Sequence, residues 1–143
     1  MIKFFSQNSS FKIEKPNFYR LWMNTLIKHN GYKTGYLNII FCSDNELLEI
    51  NRTYLRHDYC TDVITFDHSK LYNDHKISGD LFISIDTVRY NANLYHVSFQ
   101  EELIRVIAHG VLHLLGYNDK AKREKEIMYL KEEEAILLLN NLK

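Results

Sequence analysis

His109 and His113 stand four residues apart, a glycine follows at position 116, and a carboxylate, Asp119, comes three residues later. Residues spaced i and i+4 differ by about 40° around a helix and lie ~6 Å apart at Cβ, so two imidazoles placed this way can aim their ring nitrogens at one ion. Gly116 can adopt the left-handed conformation that ends a helix, which turns the chain and returns Asp119 toward the histidines. Two histidines four apart are by themselves equally at home on a helix surface; the glycine and the carboxylate turn the pair into a three-ligand metal site. Three protein ligands leave a position for water, whereas a purely structural site normally closes with four.

The spacing speaks against some metal chemistries. Zinc peptidases with a His-Glu-x-x-His motif carry their general base beside the first histidine, and here that position is Gly110. Two histidines and a carboxylate also make the facial triad of non-haem iron oxygenases, but those folds usually draw the ligands from strands. Hydrolysis assisted by a metal is compatible with the spacing, which does not itself choose the substrate.

A helix must carry the two histidines, and its start is written in the sequence. Ser98 and Glu101 have the capping-box spacing, which sets a helix beginning at Phe99. Leu103, Ile107, Gly110, Val111 and Leu114 then share one core-facing stripe, with His109 and His113 on its flank. On that stripe Gly110 would permit close approach by a neighbouring strand.

The remaining elements follow from periodicity and punctuation. Ile2 to Phe5 reads as a strand, and Pro16 opens a helix through Tyr19, Trp22 and Leu26 that stops at Gly31. Gly35 to Cys42 is rich in aromatic and branched residues, as expected of a strand buried on both faces. Ser43 or Asp44 caps a helix carrying Leu47, Leu48 and Tyr54. Strands at Val63–Phe66 and Leu81–Ile85 flank a polar segment, Asp67 to Gly79, that reads as a loop, and a helix follows from Asp86. A last helix from Lys122 should bury Ile127, Leu130, Leu137 and Leu138, with Lys131 to Glu134 as a solvated face. The expectation is one α+β domain over residues 1–143: a mixed sheet of about four strands with packed helices, and the metal site at the C-terminal end of a central helix.

Composition narrows the setting. The chain has 143 residues, enough for one core, and its 18 basic and 18 acidic residues balance, so any contact with nucleic acid must be local rather than global. Cys42 and Cys60 lie far apart and suggest neither a disulfide framework nor a zinc ribbon, which fits a reducing compartment. With neither a signal peptide nor an apolar run of ~20 residues, the expectation is a cytoplasmic protein with no membrane partner.

The stretch His109-Gly-Val-Leu-His-Leu-Leu-Gly-Tyr-Asn-Asp119 resembles the signature of the YbeY endoribonuclease family, in which three histidines bind zinc. His109 and His113 match the first two ligands; Asp119 stands where the family has its third histidine, and Asn118 where it has an aspartate. Asn51 to Tyr54 with Thr61 to Phe66, and Gly79 to Ile85, resemble two further blocks, so the likeness extends over most of the chain from Asp44. The family's cleavage-associated arginine falls at Leu55 here, and Arg56, one residue later, is the candidate for that catalytic role.

The resemblance implies a metal-dependent, single-strand-specific endoribonuclease holding one zinc ion through His109, His113 and Asp119. Its expected partner is ribosomal RNA, with small-subunit ribosomal proteins nearby, in 16S rRNA 3′-end maturation and ribosome quality control. Two other functions stay open at this level: a ribosome-assembly factor with a structural metal, and a metal hydrolase of a small substrate. Around the site, Thr61 and Asp62 are candidates to border a cleft, or a turn or cap before the strand; Arg52, Arg56 and His57 form a small basic patch suited to phosphate or a solvated surface; Tyr117 could stack on a base or simply pack. His29, His68, His75 and His96 show no ligand spacing and read as surface residues.

Overall fold

The structure, a computed structural model, describes residues 1–7, 10–55 and 62–143. Arg56, His57, Cys60 and Thr61 lie outside the described residues. Among those described, strands β1 (Ile2–Ser6), β2 (Lys33–Cys42), β3 (Val63–Asp67) and β4 (Lys76–Ser84) form one mixed sheet in the order β1-β2-β4-β3. β1, β2 and β4 run parallel, and β3 joins the edge of β4 antiparallel. Helices α1 (Pro16–His29), α2 (Asp44–Ile50), α3 (Ser69–Tyr72), α4 (Ile85–Leu94), α5 (Phe99–Leu114) and α6 (Lys122–Leu142) pack around it. A π-helical turn, Asn51–Leu55, extends α2.

The main core lies on one side of the sheet. Leu37, Ile39 and Phe41 of β2 alternate inward in register with Gly79, Leu81 and Ile83 of β4, against Trp22, Leu26 and Ile27 of α1 and Ile107, Val111 and Leu112 of α5. Each such aliphatic side chain stabilises the fold by about 1.5–3 kcal/mol through removal from water. Trp22 is fully buried, and its indole N–H donates to the Ala135 carbonyl at 2.8 Å, which ties α1 to α6 without leaving a buried donor unpaired.

Ser43 caps α2 and forms a capping box with Glu46. Behind the sheet, α2 covers only part of the surface, through a small cluster of Cys42, Leu47 and Ile64. β2 is therefore not buried on both faces as its composition suggests: Tyr36 is 56% exposed, and Asn38 and Ile40 are half-buried. Cys42 is a free buried thiol pushed up to about 12, first by burial and then by Glu46 and Asp44, so it stays protonated and inert.

Two further expectations change. The polar segment 67–79 is not a loop throughout: it holds α3, and β4 begins at Lys76, where pairing with β2 outweighs a sequence of low strand propensity before β3 joins from Gly79. On α6 the buried stripe is Met128, Glu132, Ala135 and Leu139, while Ile127, Leu130 and Leu137 are exposed and Leu138 is half-buried. The helix is rotated so that Ala135 meets Trp22 and Glu132 faces α5, which takes Glu132 out of the solvated face expected of the Lys131–Glu134 run.

Candidate metal centre

α5 starts where its capping box requires. The Ser98 hydroxyl accepts from the Glu101 N–H at 3.0 Å, and Glu101 in return accepts from the Ser98 N–H at 3.3 Å. Its core stripe is buried as the periodicity indicates. Gly110 sits so close to β4 that a Cβ would come within 2.6 Å of Leu81 Cδ2, the close approach expected of a glycine at that place.

The C-terminus of α5 is a Schellman turn. Gly116 has φ +100°, its N–H bonds to the His113 carbonyl, and the Tyr117 N–H reaches back to Leu112 O at 3.1 Å. This reversal brings two groups to the histidines. The Tyr117 carbonyl lies 2.9 Å from His113 Nδ1, and Asp119 Oδ2 lies 3.1 Å from His109 Nε2 and 3.5 Å from His113 Nε2. The two Nε2 atoms are themselves 2.9 Å apart.

His109, His113 and Asp119 thus present three ligand atoms to one point, as a group able to hold a metal ion. A four-coordinate ion bonded at about 2.0–2.1 Å needs neighbouring ligand atoms about 3.3 Å apart, close to the three separations observed. The outer nitrogens agree with this use. His109 Nδ1 is 2.7 Å from Glu132 Oε2, and each Nδ1 faces an oxygen acceptor, so both rings carry their proton on Nδ1 and turn the Nε2 lone pairs toward each other. Two lone pairs at 2.9 Å repel unless a cation or a proton lies between them.

The electrostatics are asymmetric. Burial pulls His109 down, but the hydrogen bond and charge of Glu132, with Asp62 and Asp119 behind, leave it above the usual histidine range. Burial and the neighbouring His109 charge hold His113 below that range. Glu132 is only 8% exposed and also accepts from Arg105 Nη1 at 2.9 Å, while Arg105 Nη2 bonds Glu133. Such a carboxylate fixes the tautomer and orientation of a ligating imidazole.

Glu132 escapes ligand-spacing arguments, since it lies 23 residues from His109 on another helix. A usable signal was present nonetheless: Met128, Glu132, Ala135 and Leu139 share one stripe at steps of four and three, and a carboxylate within an otherwise apolar stripe needs a buried partner. Asp62 borders the centre through its electrostatic coupling to His109; burial raises its carboxyl above the usual range. Glu102, about two turns before His109 on α5, is pushed up to about 7 by burial and by the Asp62 charge. Tyr117 packs against the core, with Lys131 Nζ 5.3 Å from its ring centre. His29 and His68 are partnered at the surface by Glu134 and Asp80, away from the centre.

Fold and site together define a class: an α+β domain with a candidate metal centre of two helix-borne histidines and a carboxylate delivered by the turn that ends the helix. Residues 3–140 match the family model described as Endoribonuclease YbeY. Over 137 residues the chain is 48% identical to Endoribonuclease YbeY of Cytophaga hutchinsonii, covering 96% of this chain and 94% of that one. It is 52% identical over 118 residues to the protein of the same name from Parabacteroides distasonis, covering 82% and 81%. A solution structure from Thermotoga maritima shares the fold, with a TM-score of 0.65 at 23% identity over 97% of this chain and 89% of that chain. The chain belongs to the YbeY endoribonuclease family.

Proposed function

We propose that this chain is a metal-dependent endoribonuclease that hydrolyses single-stranded RNA, with His109, His113 and Asp119 holding one zinc ion. The convergence of three ligand atoms, in a chain whose relatives are named as endoribonucleases, carries the reading. Two imidazoles and a carboxylate suit zinc by donor type. When bound, a divalent ion supplies Lewis acidity toward a phosphoryl oxygen and toward water.

The side chains have separate tasks. Glu132 and the Tyr117 carbonyl orient the two imidazoles, Gly116 positions Asp119, and Gly110 seats the helix on β4. Asp119 brings a negative charge where the family signature has a neutral imidazole, which makes the site one unit less positive and the cleavage slower. Arg56 is assigned to the RNA phosphates, where a guanidinium offers paired donors. In keeping with the family, the proposed substrate is small-subunit ribosomal RNA in the cytoplasm, with 16S rRNA 3′-end maturation, ribosome quality control and contact with small-subunit ribosomal proteins as the setting.

Elemental analysis of the purified chain together with an assay on labelled single-stranded RNA tests this. About one equivalent of metal is expected, with cleavage lost in His113→Ala and Asp119→Ala variants that keep the wild-type circular dichroism. Arg56→Ala should cleave more slowly at unchanged metal content. Undiminished cleavage by a metal-free His109→Ala, His113→Ala double variant would refute the proposal.

A further inference from the structure

Net charge is zero over the chain but not evenly spread. Residues 1–40 contain six Lys and Arg against one Glu, and one of these, Lys33, stands at the end of the sheet where β2 and β4 begin. There Lys33 and Lys76 are direct partners in the parallel register, an arrangement of like charges that costs stability. Lys70 on α3 adds a third cation nearby. Among the described residues none of these three ammonium groups has a carboxylate partner. Carboxylates close by in sequence or sheet accept from donors other than these ammonium groups: Asp74 from the Lys76 backbone N–H, Asp67 from the Ser69 N–H, and Asp80 from Asn38, with His68 at 3.1 Å.

Beside these cations stands a fixed aromatic pair. The rings of Tyr36 and Tyr72 are 5.2 Å apart, yet both side chains are exposed. Tyr36 is aimed outward by a break in the β2–β4 register between Thr34 and Leu37, and its N–H is caught by the buried Ser78 hydroxyl at 2.9 Å. Gly35 makes room for that hydroxyl, since a Cβ there would lie 2.2 Å from Ser78 Oγ. Ser69 exchanges hydrogen bonds with the Ser78 backbone, which pins α3 and hence Tyr72 in place. Asn73 and His75, between α3 and β4, both hold left-handed backbone conformations that non-glycine residues adopt at a cost.

Lys70 and Lys76 also line an open cavity of about 410 Å³, shared with Tyr32, Asn73 and His75 and with no carboxylate in its wall. Tyr117, whose carbonyl orients His113, reaches Asn30 Oδ1 at 3.5 Å, and Tyr32 is two residues beyond Asn30.

We propose that the Tyr36–Tyr72 pair and the Lys33–Lys70–Lys76 cluster form a docking platform for single-stranded RNA, which holds nucleotides outside the cleavage centre by base stacking and phosphate contacts. This deepens the nuclease reading and rests on it. Exposed rings held rigid beside unpaired cations are what sequence-tolerant binding of single strands requires. The platform also reconciles a neutral chain with an anionic polymer, because the positive charge is local.

Steady-state cleavage by the metal-loaded full chain tests the platform, with one single-stranded RNA of about 12 nucleotides and another of about three, too short to span both places. For Tyr36→Ala, Tyr72→Ala the KM on the long substrate should rise at least about fivefold with kcat unchanged, and the short substrate should be cut as by wild type. For Lys70→Ala, Lys76→Ala the slope of log(kcat/KM) against log salt should shrink by about 1.4, the share of two phosphates on a single strand. Unchanged KM and salt slope in both folded variants, with wild type cutting normally, would overturn the platform alone. A wild-type chain that neither binds nor cuts single-stranded RNA would overturn the nuclease reading and the platform with it.

Discussion

Replacing Glu132 by Gln should weaken metal binding about 10- to 100-fold, or about 1.4–2.7 kcal/mol, without touching a proposed ligand. The size follows from what Glu132 does. Both its oxygens accept, one from His109 Nδ1 at 2.7 Å and the other from Arg105 Nη1 at 2.9 Å, in a place only 8% exposed. Glutamine has the same shape but a single acceptor oxygen, so its amide N–H₂ must face one of two donors. If it faces His109, the ring is driven toward the other tautomer, with a proton on the Nε2 that should point at the ion. If it faces Arg105, the hydrogen bond to His109 survives but loses the charge that makes the imidazole a better donor of its lone pair. Competition titration with a chromophoric chelator measures the affinity, and thermal melts of the metal-free forms show whether the fold is intact. Glu134→Gln is the matched control: it lies on the same helix, pairs among the described residues with His29 and Lys131 at the surface, and should leave affinity unchanged. A Glu132→Gln affinity within twofold of wild type would refute the orienting role.

Three other expectations concern this neighbourhood. Glu102 has a folded-state value of about 7, above its unfolded one, so unfolding releases a proton at intermediate pH and stability falls as pH rises from about 4.5 to 7. Glu102→Gln should therefore stabilise the protein by about 1–3 kcal/mol at pH 8 and flatten that slope, as urea unfolding across pH would reveal; an unchanged slope would contradict it. Gly110→Ala drives a Cβ into Leu81 and Val63 and should cost about 1–3 kcal/mol, read as a lower Tm; a neutral result would mean that α5 can shift on β4. Because Glu132 holds His109 above the usual histidine range, protons compete for the same Nε2, so metal affinity should fall as pH drops through that range and fall less steeply in Glu132→Gln; a pH-independent chelator titration would exclude competition at His109.

Local signals act over a few residues, and where they decided matters the sequence was sufficient. The Ser98–Glu101 capping box started α5, the three-and-four spacing of Leu103, Ile107, Val111 and Leu114 chose its buried face, and Gly116 ended it in the turn that returns Asp119. The family signature was legible for the same reason, as it lies within eleven consecutive residues. The choice of buried face on α6 was different in kind. Ile127, Leu130 and Leu137 form as good an apolar stripe as Met128, Ala135 and Leu139, and helical periodicity cannot choose between two such stripes on one helix.

Tertiary contacts made that choice. Trp22 needed the Ala135 carbonyl, and His109 and Arg105 needed a carboxylate, so α6 turned Glu132 inward. The same is true of β4, whose polar opening became a strand only because β2, with His68 and Ser69 at Ser78, stood ready to satisfy its backbone, and of Tyr36 and Tyr72, brought together by Ser78 from segments 36 residues apart. By itself the sequence determined the helix, the turn and the three groups that meet at its end. What holds those groups in orientation was decided by the packing of distant segments, because a buried donor or acceptor takes its partner from whatever the fold brings within about 3 Å, regardless of distance along the chain.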